Sequence, residues 1–330
     1  MSELHKFLFE GLPVRGVLVR LTDSWQTVLA KRAANAETGA YPQVVRALLG
    51  EMTAAAVLMQ ANIKFNGALV LQMMGEGPLK LAVVEVQSDM RFRATAKTIG
   101  EVHAGMGLAD MANQRNLGRC AITLDPLGRR PGQQPYQGVV PLYDDQGQAI
   151  KRFSDVLAHY MLQSEQLDTT LVLAANDETA AGLLIQRLPM QGAANLAGKK
   201  NMVDEDQIGR NEDYNRIAIL AQSLTSDELL TLSSSSDKIL HRLFWQETLR
   251  RFEPELGEDA PRFACSCNRD RVSNMLRGLG EEEANSILAE RALIEVGCDF
   301  CGQQYRYDAV DSAQLFAQAQ MQPPGPSALQ

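Results

Sequence analysis

Four of the five cysteines in this 330-residue chain fall within 37 residues: Cys265-Ser-Cys267, then thirty residues, then Cys298-Asp-Phe-Cys301. Two close thiol pairs separated by a short excursion bring four sulfurs to one tetrahedral ion. Each pair supplies two corners at Zn–S distances of ~2.3 Å. The four histidines (His5, His103, His159 and His241) lie elsewhere, so a mixed cysteine–histidine site has no ligand nearby. The pattern predicts a four-cysteine zinc site, structural or redox, with Cys265, Cys267, Cys298 and Cys301 holding one Zn2+ per chain.

Zinc ribbons usually carry C-x-x-C on both sides, whereas the first pair here is C-x-C. Two cysteines one residue apart close only a small, constrained ring, and strained disulfides are the more easily reduced, switch-like ones. Arg262, Arg269 and Arg271 flank this pair. Either they favour thiolate over thiol, or they are solvated charges without influence on the sulfur. The arrangement suits a site that holds zinc when reduced and forms local disulfides when oxidised.

A chain of this length buries a sizeable core and divides into two or more domains. Neither a signal-peptide pattern nor an uninterrupted apolar run of the length a membrane helix needs is visible. The leftover thiol, Cys120, and the metal-ligand spacing fit a reducing compartment, so the expected location is cytoplasmic. Net charge is −8, which argues against nucleic-acid binding. The segment 262–330 is itself acidic, with six arginines against nine Asp and Glu.

The first 190 residues alternate β-type runs with two amphipathic helices. Segments 16–21, 68–73, 79–86, 91–96, 120–124, 138–142, 170–174 and 182–188 read as strands. One helix starts near Pro42 and places Val45, Leu48, Leu49, Met52 and Met59 on one face; a second runs from about 149 to 162. Many strands and few helices, without βαβ alternation, predict an α+β fold with mostly antiparallel sheet. Residues 191–213 lose hydrophobic periodicity and read as a linker. They contain Gly192-Ala-Ala-Asn-Leu-Ala-Gly198-Lys199-Lys200, which has five residues between the glycines and a lysine where a P-loop needs Ser or Thr. Residues 211–252 read as short helices, with a capping box at Thr225-Ser-Asp-Glu228. They form either a plain helical subdomain or a segment poised to unfold when its support is lost. Within the cysteine excursion, Val272, Met275, Leu276 and Leu279 mark one helix and Ile287-Leu288 a second. So few apolar residues need metal to hold a fold. The proline-containing tail from residue 322 is expected to be disordered. The domain boundaries are therefore 1–190, an α+β core; 191–261, a flexible and helical linker; and 262–330, a zinc module with tail.

No catalytic triad, nucleophile elbow, H-E-x-x-H or dinucleotide fingerprint is present, and the chain does not read as an enzyme. Cys298-Asp-Phe-Cys301 lacks the strand-to-helix context of a thioredoxin-like pair, being followed by Gly302 and the β-like 304–307 run.

The cysteine spacing closely resembles that of the heat shock protein 33 family of redox-regulated holdase chaperones. Shorter matches follow in order: Phe7-Leu-Phe-Glu10 with Val14-Arg-Gly16, Gly75-Glu-Gly-Pro78, Tyr136-Gln-Gly-Val-Val140, Ser164-Glu-Gln-Leu167, Glu228-Leu-Leu-Thr-Leu232 and Ser286-Ile-Leu-Ala-Glu290. The stretch 191–213 is longer than the family pattern. The resemblance implies a chaperone that is inactive when reduced and zinc-bound. Oxidation is then expected to pair Cys265 with Cys267 and Cys298 with Cys301, release zinc, unfold the helical linker and expose apolar surface to unfolding client proteins. It further implies an oxidised homodimer that works without ATP and hands clients to ATP-dependent chaperones; the charge and the lack of a long apolar run lead to the expectation of neither nucleic-acid nor membrane partners. Cys120 inherits no role. The rival readings are a zinc-ribbon adaptor module and a thiol–disulfide oxidoreductase.

Overall fold

The structure, a computed structural model, describes residues 1–35, 38–128, 132–188 and 211–321. Two compact units emerge, Met1–Ala264 and Cys265–Gln330.

The first unit is built on two sheets. One contains β1 (Glu3–Phe9), β2 (Val14–Leu21), β8 (Thr169–Ala175), β9 (Ala180–Arg187) and the short β10 (Leu249–Arg251), in the order β10-β1-β2-β9-β8, with β11 (Glu255–Leu256) also on β1. The other contains β3 (Gly67–Met74), β4 (Leu79–Gln87), β5 (Arg91–Thr98), β6 (Arg119–Pro126), β7 (Tyr136–Pro141) and β12 (Arg262–Phe263), in the order β12-β5-β4-β3-β6-β7. Every pairing is antiparallel except that of β12 with β5. The α+β class with mostly antiparallel sheet is thus the observed one, and all eight strands read from the sequence are present.

Helix α2 (Gln43–Asn62) lies between the sheets and buries Val45, Leu48, Leu49, Met52, Leu58 and Met59, with Pro42 as its N-cap. Gly50 allows this close approach: a Cβ there would stand 2.4 Å from Ala175 Cβ. By length and composition α2 is the one helix among the described residues apolar enough to cross a membrane, yet 72% of that stretch is buried in the core. Helix α4 (Phe153–Glu165) adds Phe153, Val156, Leu157 and Tyr160 to the same core.

Two helices went unforeseen, α1 (Asp23–Ala33), which buries Trp25 and Val28, and the five-residue α3 (Leu108–Ala112). Strand β1 was also missed. Its alternation is broken by His5 and Lys6, but Phe7 and Phe9 share one face and the strand completes the sheet.

The outer face of the first sheet is covered by chain that follows the undescribed residues. Helices α5 (Glu212–Gln222), α6 (Ser226–Leu230) and α7 (Ser236–Phe244) bury Tyr214, Ile217, Ala221, Leu229, Ile239, Leu240, Leu243 and Phe244 against Phe7, Phe9, Val14, Leu18, Leu183 and Ile185. Asn211, Thr225 and Ser235 cap the three helices, each side chain accepting a backbone N–H of the first turn; of these the sequence reading named only the Thr225–Glu228 capping box. The helical reading of 211–252 needs one correction. Its end is strand β10, which pairs with β1, and Phe252 is 47% exposed instead of continuing an apolar stripe. A three-residue strand carries almost no local signal and exists because β1 offers it an edge. Most of the predicted 191–213 linker, with its Gly192–Lys200 near-motif, and the tail from 322 lie outside the described residues.

The second unit contains α8 (Arg269–Leu279), α9 (Glu281–Arg291), a hairpin of β13 (Ile294–Gly297) and β14 (Gln304–Tyr307), and α10 (Ala309–Met321). Its buried core comprises Leu276, Ala284, Ile294, Tyr307, Leu315 and Phe316. The predicted α8 stripe is only half used, since Met275 and Leu279 are exposed. Helix α10, absent from the sequence reading, supplies Leu315 and Phe316 instead.

Candidate metal centre

Two local structures bring the thiols together. Cys265 and Cys267 precede α8, whose N-cap Asn268 accepts the Arg271 N–H at 2.8 Å. Arg271 Nη1 reaches back to Ser266 Oγ, 2.7 Å away, and fixes the turn between the two cysteines. Cys298 and Cys301 lie in the loop joining β13 to β14. There Cys298 N donates to Gln303 O at 2.9 Å and Gly302 N to Cys298 O at 2.8 Å. Gly302 has φ +74°, a conformation that favours glycine and turns the chain into β14.

The four sulfurs all lie within 4.8 Å of one another. Cys265 Sγ stands 3.7 Å from Cys298 Sγ, and Cys267 Sγ 3.4 Å from Cys301 Sγ. Four thiolates around one zinc at ~2.3 Å are separated by about 3.8 Å, so this donor set fits a tetrahedral zinc ion in both chemistry and spacing. The fifth thiol, Cys120, is fully buried in the first unit on β6, and burial pushes it up to about 12.

The sulfurs are electrostatically unequal. Burial raises Cys298, although the backbone amides of Phe300 and Cys301 point at its sulfur and oppose the effect. Cys301 is likewise raised, by burial first and then by its thiol neighbours. Burial also works against Cys267, but the Tyr305 hydroxyl donating at 3.2 Å, together with the neighbouring thiols, outweighs it and lowers this group.

The flanking arginines do not supply this polarisation. Arg269 stacks on the Tyr307 ring with its guanidinium carbon 4.3 Å from the centroid, and it pairs with Asp311 at 2.9 Å. Arg271 binds Ser266, and Arg262 in the first unit donates to Glu258 O at 2.6 Å. The group that sequence reasoning missed is Tyr305. Its place on β14 puts it beside Cys267 only once the hairpin folds back. Tyr307 holds the same hairpin to α8, donating to Arg269 O at 2.9 Å.

The Cys298–Cys301 pair sits in a hairpin loop, not at a helix N-terminus, so the thioredoxin-like arrangement is absent. His103 is exposed and stands 3.8 Å from Glu101, apart from any cluster.

A family model described as "Hsp33 protein" matches residues 2–308. A "33 kDa chaperonin" of Chromobacterium violaceum is 44% identical over 315 residues, covering 96% of this chain and 94% of the relative. The protein of the same name from Methylobacillus flagellatus is 43% identical over 316 residues, with 96% and 94% covered. The fold is similar to the crystal structure of the 33 kDa chaperonin (heat shock protein 33 homolog) from Thermotoga maritima. The TM-score is 0.70 over 96% of this chain and 98% of that one, at 18% identity. With the matched family model spanning the two-sheet unit and the four-cysteine unit together, the chain belongs to the Hsp33 protein family, a family of chaperones.

Proposed function

We propose that this chain is a redox-regulated, ATP-independent holdase, inactive while Cys265, Cys267, Cys298 and Cys301 hold zinc and active once they are oxidised. The observation that carries this reading is the convergence of four sulfurs, from two separate motifs, within 4.8 Å in a unit whose buried core, among the described residues, has six side chains. Bound zinc would contribute about 10–16 kcal/mol of apparent binding energy to the folding of that unit.

Oxidation pairs Cys265 with Cys267 and Cys298 with Cys301. Each pair of zinc-bound thiolates gives up two electrons and has no proton to lose. With hypochlorous acid as the oxidant, the products for each pair are the disulfide, chloride and hydroxide. A disulfide sulfur is no longer a thiolate donor, so the four side chains lose their hold on the ion and the second unit loses its main support. Three functional parts follow: a two-sheet core, 1–190; a helical linker, 191–261; and the cysteine switch, 262–330. Helices α5–α7 are short, and their stability comes from burial on the first sheet. Their release uncovers Phe7, Phe9, Leu18 and Ile185 on the sheet and Tyr214, Leu243 and Phe244 on the linker, apolar surface suited to unfolding clients. No nucleotide is needed for such capture. Dimerisation of the oxidised form, work in the cytoplasm and transfer of clients to ATP-dependent chaperones complete the proposal.

The test compares reduced and hypochlorite-treated protein in two assays, zinc content per chain and light scattering from a heat-unfolded client enzyme without ATP. The expectation is one zinc and no protection when reduced, then zinc loss with suppressed aggregation when oxidised. Zinc retained after all four thiols are consumed would sink the switch.

A further inference from the structure

The first unit contains a cavity of about 130 Å3. It lies between the two sheets, on the opposite side of the first sheet from the linker helices. Met59, Leu69, Ile122, Leu124 and Leu184 form its apolar wall. This is close to the volume of an apolar cavity of about 150 Å3 that binds benzene. The mouth carries Tyr136 and Glu165, both exposed.

Two polar groups on the wall are incompletely matched. Arg15 on β2 donates to Asn62 O at 2.9 Å and from Nε to Gln186 Oε1 at 3.1 Å, and Nη2 also meets Gln186 Oε1. All these acceptors are neutral, and among the described residues no carboxylate pairs with this guanidinium. Burial disfavours its charge. The Asn62 side-chain amide nitrogen is buried with no hydrogen-bond partner. A half-buried guanidinium with only neutral partners beside an unused amide donor is suited to a carboxylate, which guanidinium binds in a planar, charge-assisted fashion. Among the described residues Glu165 forms no ion pair with Arg15; its Oε1 accepts the Tyr160 hydroxyl at 2.8 Å and the Tyr136 hydroxyl at 3.0 Å.

We propose that this cavity binds a small aromatic carboxylate, its ring against the Met59–Leu184 wall and its carboxylate on Arg15 and the Asn62 amide. The site is separate from the cysteine cluster and from the linker-covered face, so a ligand here addresses the two-sheet core directly.

The test titrates phenylacetate into reduced full-length protein carrying 13C-methyl methionine, with 2-phenylethanol and 2-phenylethylamine as neutral and cationic isosteres. Met59 and Met161 line the cavity and report occupancy. Phenylacetate is expected to shift these two methyl signals saturably and to bind at least tenfold more tightly than either isostere. Arg15→Gln should lose at least tenfold for phenylacetate and leave 2-phenylethanol unchanged. If that variant does not fold, the ranking of the three isosteres on the unaltered protein decides the question. No saturable shift up to about 10 mM, a concentration that detects even weak binding by a ligand of this size, would overturn the proposal. So would preference for the amine, or equal binding of acid and alcohol.

Discussion

Phe244, at the end of α7, is the most informative side chain to remove. It is 2% exposed, and its ring lies 5.0 Å from that of Phe9 in an edge-on contact and 6.1 Å from that of Phe7. Truncating a buried phenylalanine to alanine costs about 3–5 kcal/mol, and each aromatic pair carries ~0.5–1.5 kcal/mol beyond area burial. In a continuous core that loss would fall on global unfolding. Here Phe244 belongs to a nine-residue helix held by one face, so the loss falls on docking of the linker. At ~1.4 kcal/mol per tenfold, the docking equilibrium of Phe244→Ala should shift by about two to three and a half powers of ten. Amide hydrogen exchange on reduced protein should quicken across 211–252 while β4 stays protected, and client aggregation should be partly suppressed without oxidant. Phe92→Ala, in the core between the sheets, serves as the contrast and should raise exchange throughout the first unit. If Phe244→Ala also raises exchange evenly through β3, β4 and β9, the linker is not an independently releasable element and the reasoning is wrong.

Further outcomes follow from other contacts. Gly16→Ala would place a Cβ 2.2 Å from Phe7 Cζ and push that ring toward Phe244, so it should loosen the linker without touching it; unchanged exchange at 211–252 would count against this. Cys120→Ser should leave zinc content and oxidative activation unaltered, and in native protein this thiol should resist aromatic disulfide reagents at pH 8, since burial pushes it up to about 12. Glu51, on α2, is pushed up to about 7 by burial from an ordinary value of 4.5. Its folded pKa is raised, so the native state is favoured below the unfolded value and loses that advantage as pH rises from about 4.5 to 7. Glu51→Gln should therefore raise the melting temperature at pH 8, by an amount on the order of 1–3 kcal/mol of stability, and do little at pH 4. An equal effect at both pH values would refute the assignment.

The metal-ligand set, one capping box and most strands are legible in the chain because each depends on residues close in sequence. The spacing Cys265-x-Cys267 and Cys298-x-x-Cys301 needs no tertiary knowledge to suggest one ion, and Thr225-Ser-Asp-Glu228 announces a helix through bonds spanning three residues. Strands β3 to β6 are long enough for their alternation to be read directly. What the sequence left open was who meets whom. Strand β10 exists because β1 has an edge, and α10 joins the small core because Leu315 and Phe316 find Ile294 and Tyr307. Arginines flanking the first cysteine pair turn to Tyr307, Asp311, Ser266 and Glu258, while a tyrosine 38 residues away reaches Cys267. That the 211–252 helices pack on the first sheet was likewise a tertiary outcome, because amphipathic helices specify that a face must be buried but not against what. Local hydrogen bonds and ligand spacing are set by covalent geometry over a few residues; packing partners are set by which apolar faces the folded chain brings within contact, and that depends on every element at once.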